Sequence, residues 1–290
     1  MTSRRQVGVF QVLFAGTCFG FLGIFGRWAS QNQLSIGELL SYRFVLASSL
    51  LFIYLIIFQR KMIVLPWKQI VQSLLLGVFG YAVFSTLYFK SIQELSVALA
   101  AMLLFTFPLY VSLGAHFFLK HQLNRRQWST LAFTFAGLVI LLWGDLEIKK
   151  VSGIFWGLGA AVSYSIYVLV SGQIQKEIAP VSSSLYVSLG AAIALLIFHQ
   201  PSLSQILELN LPQSAIIVGI SLFCSILPMS LFLAGLQKMK SSEASVLVTI
   251  EPVVAALAGY LILGETITAL QFVGGFIVLW GLYLHSQTST

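Results

Sequence analysis

Two copies of one pattern of apolar runs make up the chain, and this repeat limits its fold more than any other feature. The copies align at a spacing of 144 residues, and the matched pairs are Pro108 with Pro252, Leu119 with Leu263, Gln127 with Gln271, and Gly137 with Gly281. Each copy holds five long apolar runs. Because five is odd, a chain that crosses a membrane once per run enters it from opposite sides in the two copies.

Composition places these runs in a lipid bilayer. The 290 residues are 58% hydrophobic and 9% charged, whereas soluble domains carry about 25% charged residues. So little polar surface cannot cover a water-soluble globule, and we predict an integral membrane protein with the bilayer as its partner. The net charge of +7 would suggest nucleic acid in a soluble protein. Here the basic residues fall in short loops, so no nucleic-acid partner is expected.

A helix needs about 20 apolar residues to span the bilayer. The predicted spans are residues 9–29, 36–58, 69–89, 95–119, 128–144, 153–172, 182–199, 214–236, 243–264 and 268–285. We therefore predict an all-α membrane protein with ten transmembrane helices in two inverted five-helix repeats, residues 9–144 and 153–285. Inverted repeats are the usual build of secondary transporters, whose substrate site lies between the halves near the bilayer midplane.

The basic residues predict the orientation, because Lys and Arg concentrate in cytoplasmic loops. One side carries eleven of them: Arg4, Arg5, Arg60, Lys61, Lys68, Lys120, Arg125, Arg126, Lys176, Lys238 and Lys240. The other side carries four: Arg27, Lys90, Lys149 and Lys150. Both termini are therefore predicted to be cytoplasmic.

Small residues predict close helix packing, since lipid gives helices little hydrophobic drive to associate. Gly16 and Gly20 are four apart in the first run, and Gly153 and Gly157 repeat that spacing in the sixth. We expect these faces to pack inside a monomer, with a dimer interface as the alternative.

Glu251 is the main candidate for function, because ionisable groups inside a membrane are costly and usually functional. It lies about 12 Å into its helix, near the midplane, by the rise of 1.5 Å per residue. Pro252 follows it and loosens the preceding turn. Such a carboxylate could bind a proton or a cationic group of a substrate. The alternative is a protonated, structural glutamate that is hydrogen-bonded to a neighbouring helix.

Arg43 lies some seven residues into the second run, and Glu38 precedes it by five positions. That spacing puts the two side chains on different faces of a helix. Arg43 could pair with a distant carboxylate or extend towards the membrane surface. A structural or gating role is favoured over direct contact with a substrate.

Polar and aromatic side chains at mid-helix depth predict a cavity. Tyr81, Ser85 and Tyr88 share one stripe of their helix, and Tyr164 lies at a similar depth. Tyrosines can present both a ring and a hydroxyl to a partly apolar solute. Three prolines within helices are candidate hinges: Pro108, Pro228 and Pro252.

Catalysis has no support in the sequence. The motifs of nucleotide-binding loops, zinc proteases and serine hydrolases do not occur, and the only aspartate, Asp145, cannot form a pair. Cys18 and Cys224 lie in apolar runs, and the histidines lack metal-ligand spacing. We expect no enzyme, no metal and no cofactor.

The second copy carries a family resemblance. Residues 244–257 (ASVLVTIEPVVAAL), the turn at 263–268 (LGETIT), Gly274-Gly275 and Trp280-Gly281 resemble the drug/metabolite transporter superfamily, specifically its EamA-domain proteins. The resemblance covers nearly the whole chain. The first copy departs from the pattern, since it has Phe107-Pro108 where the second has Glu-Pro, and Lys120-His121 in place of Gly-Glu.

The resemblance implies a single-chain carrier in the bacterial cytoplasmic membrane, with a central cavity lined by both repeats. It favours alternating-access export of a small-molecule substrate. The mid-membrane aromatic residues are similar to those that an exporter of aromatic or hydrophobic amino acids would use, namely Phe19, Tyr81, Tyr88, Phe105 and Tyr164. The alternatives are a carrier of sugars, vitamins or nucleotide-linked solutes, a facilitative uniporter without proton coupling, and a membrane assembly subunit that transports nothing.

Overall fold

Ten helical spans account for nearly all of the computed structural model, which describes residues 3–120, 124–144, 146–201, 206 and 208–287. The spans are α1 (Arg4–Gln31), α2 (Ile36–Phe58), α3 (Trp67–Glu94), α4 (Val97–Leu119), α5 (Arg125–Leu141), α6 (Ser152–Ile174), α7 (Pro180–His199), α8 (Leu211–Leu236), α9 (Ser241–Leu263) and α10 (Ala269–Gln287). Nine of these described helices are long and apolar enough to cross a membrane. The tenth, α5, has 17 residues and packs along α10. The ten-helix all-α fold is confirmed.

The predicted bounds of α5 were wrong by three residues at each end. Asn124 accepts a hydrogen bond from the backbone N–H of Gln127, and the Gln127 side chain accepts one from the N–H of Asn124. This capping box bonds free amides of the first turn, so the helix begins at Arg125. It ends at Leu141. His121 and Asp145, which the sequence analysis considered, lie outside the described residues.

The helix interruptions repeat in the two halves. In α4, two turn residues separate Val97–Leu104 from Phe107–Leu119. In α9, a 3₁₀ turn at Val248–Ile250 separates Ser241–Leu247 from Glu251–Leu263. Pro108 and Pro252 each occupy the second position of the segment that resumes. A proline lacks the N–H that would continue the helical ladder, so the matched prolines explain the matched interruptions.

A second irregularity also repeats. The backbone of α3 widens into a π-helix at Leu76–Ala82, and that of α8 does so at Leu222–Ile226. Tyr81 lies within the first π-helix, and Pro228 follows the second. π-helical turns are rare and often lie at functional sites. The two π-helices therefore mark the adjacent interior of the bundle as a candidate functional region.

Packing joins the two halves more than it joins helices within one half. The most extensive contacts pair α5 with α10, α2 with α7, α3 with α6, and α1 with α8. Glycines also allow close contacts between other helices of the two halves. A Cβ on Gly16 would lie 2.6 Å from the Ile250 side chain, and one on Gly157 would lie 2.9 Å from that of Leu103. The small-residue faces thus pack inside the chain. The repeat boundaries at 9–144 and 153–285 stay a prediction.

Candidate functional site

Polar side chains from four other helices interact with Glu251 in the interior. Its electrostatic partners, which we call the central cluster together with Glu251, are Arg43 on α2, Tyr81 and Tyr88 on α3, Tyr164 on α6, and Cys224 on α8. Both repeats contribute to it. Sequence analysis proposed all of these except Cys224, which it assigned to apolar packing.

The Glu251 carboxylate lies in the interior without a bonded partner among the described residues. It lies deep within the protein yet keeps a partly accessible surface. Among the described residues, no hydrogen bond or salt bridge reaches its carboxylate. A carboxylate held only for structure would need such partners, because burying an unpaired charge is costly. The arrangement suits a group whose partner is a proton or a solute.

Arg43 is buried with 4% of its surface exposed, and it points inwards rather than to the membrane surface. Its guanidinium lies 4.5 Å from the centre of the Phe44 ring and interacts with the Tyr81 hydroxyl. The Nε atom has no hydrogen-bond partner. Glu38 does not neutralise it, since that carboxylate caps Ser35 at the start of α2. Arg43 forms no salt bridge with any described residue. The buried Arg43 cation and the Glu251 carboxylate therefore interact without a direct bond.

Aromatic rings form one wall of the cluster. The Tyr164 ring centre lies 4.8 Å from that of Phe84 and 4.8 Å from that of Phe107. Tyr81 contacts Tyr167 edge-on at 5.4 Å. Phe84, Phe107 and Tyr167 were not among the predicted site residues. Phe84 follows Tyr81 by three positions, and Tyr167 follows Tyr164 by three, so helical spacing from the two chosen tyrosines indicates both of them. Phe107 lies on α4 and has no such signal.

Three further predicted cavity residues are buried in the interior. Phe19 and Ser85 are 4% exposed, and no described hydrogen bond or ring contact joins either of them to Glu251. Phe105 lines a separate lateral pocket between α4, α5 and α9. Their lining of the central cavity stays a prediction.

One helix braces the segment that carries Glu251. Near the face where the chain begins and ends, Arg5 of α1 lies 3.4 Å from Glu243 of α9. At the opposite face, Arg27 forms a salt bridge with Glu265. Between these pairs, a Cβ on Gly20 would lie 2.9 Å from the carbonyl oxygen of Glu251. Contacts along its length therefore hold α1 against α9.

We expect Arg27→Gln to change the free energy of unfolding by less than about 1 kcal/mol. The Arg27–Glu265 pair is about half exposed, and exposed ion pairs contribute little because water screens them. Thermal unfolding of the purified variant checks this. A larger loss would show that the pair, rather than the glycine contacts, holds α1 against α9.

Comparisons with known proteins agree with this architecture. The model of the EamA-like transporter family matches residues 6–143 and 151–287. The threonine/homoserine exporter RhtA of Escherichia coli is 29% identical over 213 residues, which cover 71% of this chain and 70% of RhtA. An uncharacterized transporter of Archaeoglobus fulgidus is 26% identical and covers 88% of this chain and 90% of its own length. A solved crystal structure superposes with a TM-score of 0.78 at 16% identity, over 98% of this chain and 96% of that one.

Two family matches that together span most of the chain identify its class. The protein belongs to the EamA-like transporter family and is a multi-pass membrane transporter. The superposed crystal structure bears on the fold alone, because its sequence identity is low. The central cluster therefore lies inside a transporter fold, where a solute would pass between the halves.

Proposed function

We propose that the protein exports amino acids by alternating access between its two repeats, from a cytoplasm that contains both termini across a bacterial cytoplasmic membrane. The observation that carries this proposal is the pair of buried opposite charges, Arg43 and Glu251, which interact but share no salt bridge. Two such charges, which interact in the interior of the protein, match the two charges of an amino-acid zwitterion.

The assignment of each charge follows from its hydrogen-bonding chemistry. Arg43 presents a planar set of donors that suits a carboxylate, and its Nε lacks a partner. Glu251 accepts hydrogen bonds and suits an ammonium group. The charges of a bound amino acid would replace the missing salt bridge. Arg43, for which sequence alone favoured a structural or gating role, would then contact the substrate directly.

The aromatic wall supports a substrate with an apolar or aromatic side chain. Tyr164 packs against the rings of Phe84 and Phe107, and an apolar side chain bound beside these rings would gain from burial. RhtA, a relative, exports threonine and homoserine, which gives small polar amino acids as the competing class. Glu251 also provides a site for a coupling proton, and a uniporter would make no use of it.

A substrate panel tests the zwitterion. Liposomes that contain the purified protein are loaded with leucine, phenylalanine, threonine or homoserine. Counterflow is then measured with two analogues of each amino acid as competitors. One analogue lacks the carboxylate and the other lacks the ammonium group. We expect each analogue to compete at least about tenfold more weakly than the amino acid, since one charge-assisted hydrogen bond contributes about 1.5–3 kcal/mol.

The Arg43→Gln variant assigns the carboxylate. It should lower the affinity for the amino acid to that for the amine, while the affinity for the amine itself changes little. Thermal shifts with the same ligands separate binding from turnover, because a ligand that binds the folded state raises its melting temperature. If the amine competes as well as the amino acid in the unmodified protein, Arg43 does not bind a carboxylate. Flux of a sugar or vitamin, with none of any amino acid, would refute the proposed substrate class.

A further inference from the structure

A pocket of about 210 Å³ opens between α4 and α5 and reaches α9. Its inner wall contains Phe105, Pro108, Leu138, Val246 and Thr249, all of them buried. Its mouth lies at Leu109, Ala132 and Phe135, which are exposed on the outer surface of the helix bundle. Because these are membrane-spanning helices, the mouth faces bilayer hydrocarbon rather than water.

The wall of the pocket is mostly apolar. The only hydroxyl side chains in the wall are Thr134 and Thr249, and both already donate to carbonyl groups of their own helices. Thr249 bonds to the carbonyl oxygen of Val246 at 2.6 Å, and Thr134 to that of Thr130 at 2.8 Å. A buried water needs two to four polar partners. The Trp128 indole N–H is the one further polar side-chain group in this wall, and the other lining residues are apolar. Such a wall favours an apolar occupant, and an alkyl chain needs no polar partner.

We propose that this pocket binds one acyl chain of a bilayer phospholipid, which enters between α4 and α5. The bound chain would touch both repeated interruptions at once. Phe105 lies in the break of α4, with Pro108 just after it. Thr249 lies in the 3₁₀ turn of α9, and Val246 precedes that turn. It acts as an apolar wedge that stabilises the conformation in which the pocket is open. The composition of the bilayer then influences how easily the two interrupted helices rearrange.

Photolabelling tests this site. The full-length protein is placed in nanodiscs with a phosphatidylcholine that carries a diazirine near the middle of one acyl chain. Illumination releases N₂, and the resulting carbene inserts into nearby bonds, which mass spectrometry then maps. We expect label on Val246 and Thr249, which are only 1% and 4% exposed and which a lipid reaches only through the pocket. Lipid-facing Phe272 (72% exposed) provides a positive control.

Substitutions at two neighbouring residues test whether the acyl chain enters between α4 and α5. Ala132→Trp fills the mouth and should reduce label on Val246 and Thr249 at least fivefold, with label on Phe272 unchanged. Phe133→Trp is the matched control, because Phe133 is exposed beside Ala132 but does not line the pocket; it should leave all labelling unchanged. Absence of interior label, or equal interior label in both variants, overturns the proposal. Loss of interior label when excess leucine is added would also overturn it, because the pocket would then hold the side chain of a substrate.

Discussion

Glu251→Gln is expected to abolish amino-acid transport driven by a pH gradient, with a loss of at least about tenfold, and to leave the protein folded. The amide has nearly the shape of the carboxyl group but carries neither a proton to release nor a charge to attract an ammonium group. No described side chain forms a hydrogen bond or salt bridge with Glu251, so the fold loses no bond in the substitution. A residue that couples a proton to a solute is the kind of ionisable group that membrane interiors retain.

The measurement compares gradient-driven uptake with counterflow in liposomes, and Glu38→Gln is the matched control. Glu38 undergoes the same chemical change, but it lies at the exposed start of α2, where glutamine can also complete a capping box. We expect normal transport for Glu38→Gln. If Glu251→Gln loses gradient-driven uptake but keeps counterflow, Glu251 serves coupling alone. If both remain normal, proton coupling through Glu251 is wrong and a uniporter explains the protein better.

The sequence predicted the scaffold well because a membrane simplifies the problem. Every backbone polar group in hydrocarbon must be bonded within its helix, so apolar runs of sufficient length become helices. Pro108 and Pro252 predicted irregular helices, and the structure interrupts both α4 and α9 beside them. Prolines do not predict the two π-helices in the same way, because Pro228 lies beside that of α8 and no proline lies beside that of α3.

The faces of the helices could not be predicted in the same way. Apolar residues surround most of these helices on every side, so hydrophobic periodicity does not separate the lipid face from the interior. Arg43, Tyr81 and Glu251 were found because their polarity or depth is unusual. Phe105 and Tyr167 show the limit: the sequence does not indicate that the first lines the lateral pocket, and the second contacts Tyr81 and Tyr164 but was left out of the predicted site.

The chemistry of the site is less symmetric than its scaffold. At the repeat spacing of 144 residues, Glu251 corresponds to Phe107 and Arg43 corresponds to Val187. Each charge thus occurs in one repeat only, while the helix interruptions occur in both. A symmetric frame can open to either side of the membrane by equivalent movements, and a single pair of charges gives it one binding site instead of two.

The largest stability effect is expected at the contact between α3 and α7, where Gly77→Ala should lower the free energy of unfolding by about 1–3 kcal/mol, the usual cost of overpacking a tight interior. A Cβ on Gly77 would lie 2.7 Å from the backbone nitrogen of Ala191, and it would also collide with the carbonyl oxygen of Val187. Backbone atoms cannot turn aside as a side chain can, so the two helices must separate.

Gly23→Ala is the matched control for that substitution, because it makes the same chemical change in α1 where no atom lies within 4 Å of the added Cβ. Alanine is a better helix former than glycine by up to about 1 kcal/mol, so Gly23→Ala should unfold at the same temperature as the unmodified protein or slightly above it. Thermal unfolding in one detergent, with size-exclusion profiles to verify folding, compares the two. Equal melting temperatures would mean that α3 and α7 adjust their spacing freely. A lower melting temperature for Gly77→Ala alone would show that backbone contact between the two repeats limits the stability of the fold.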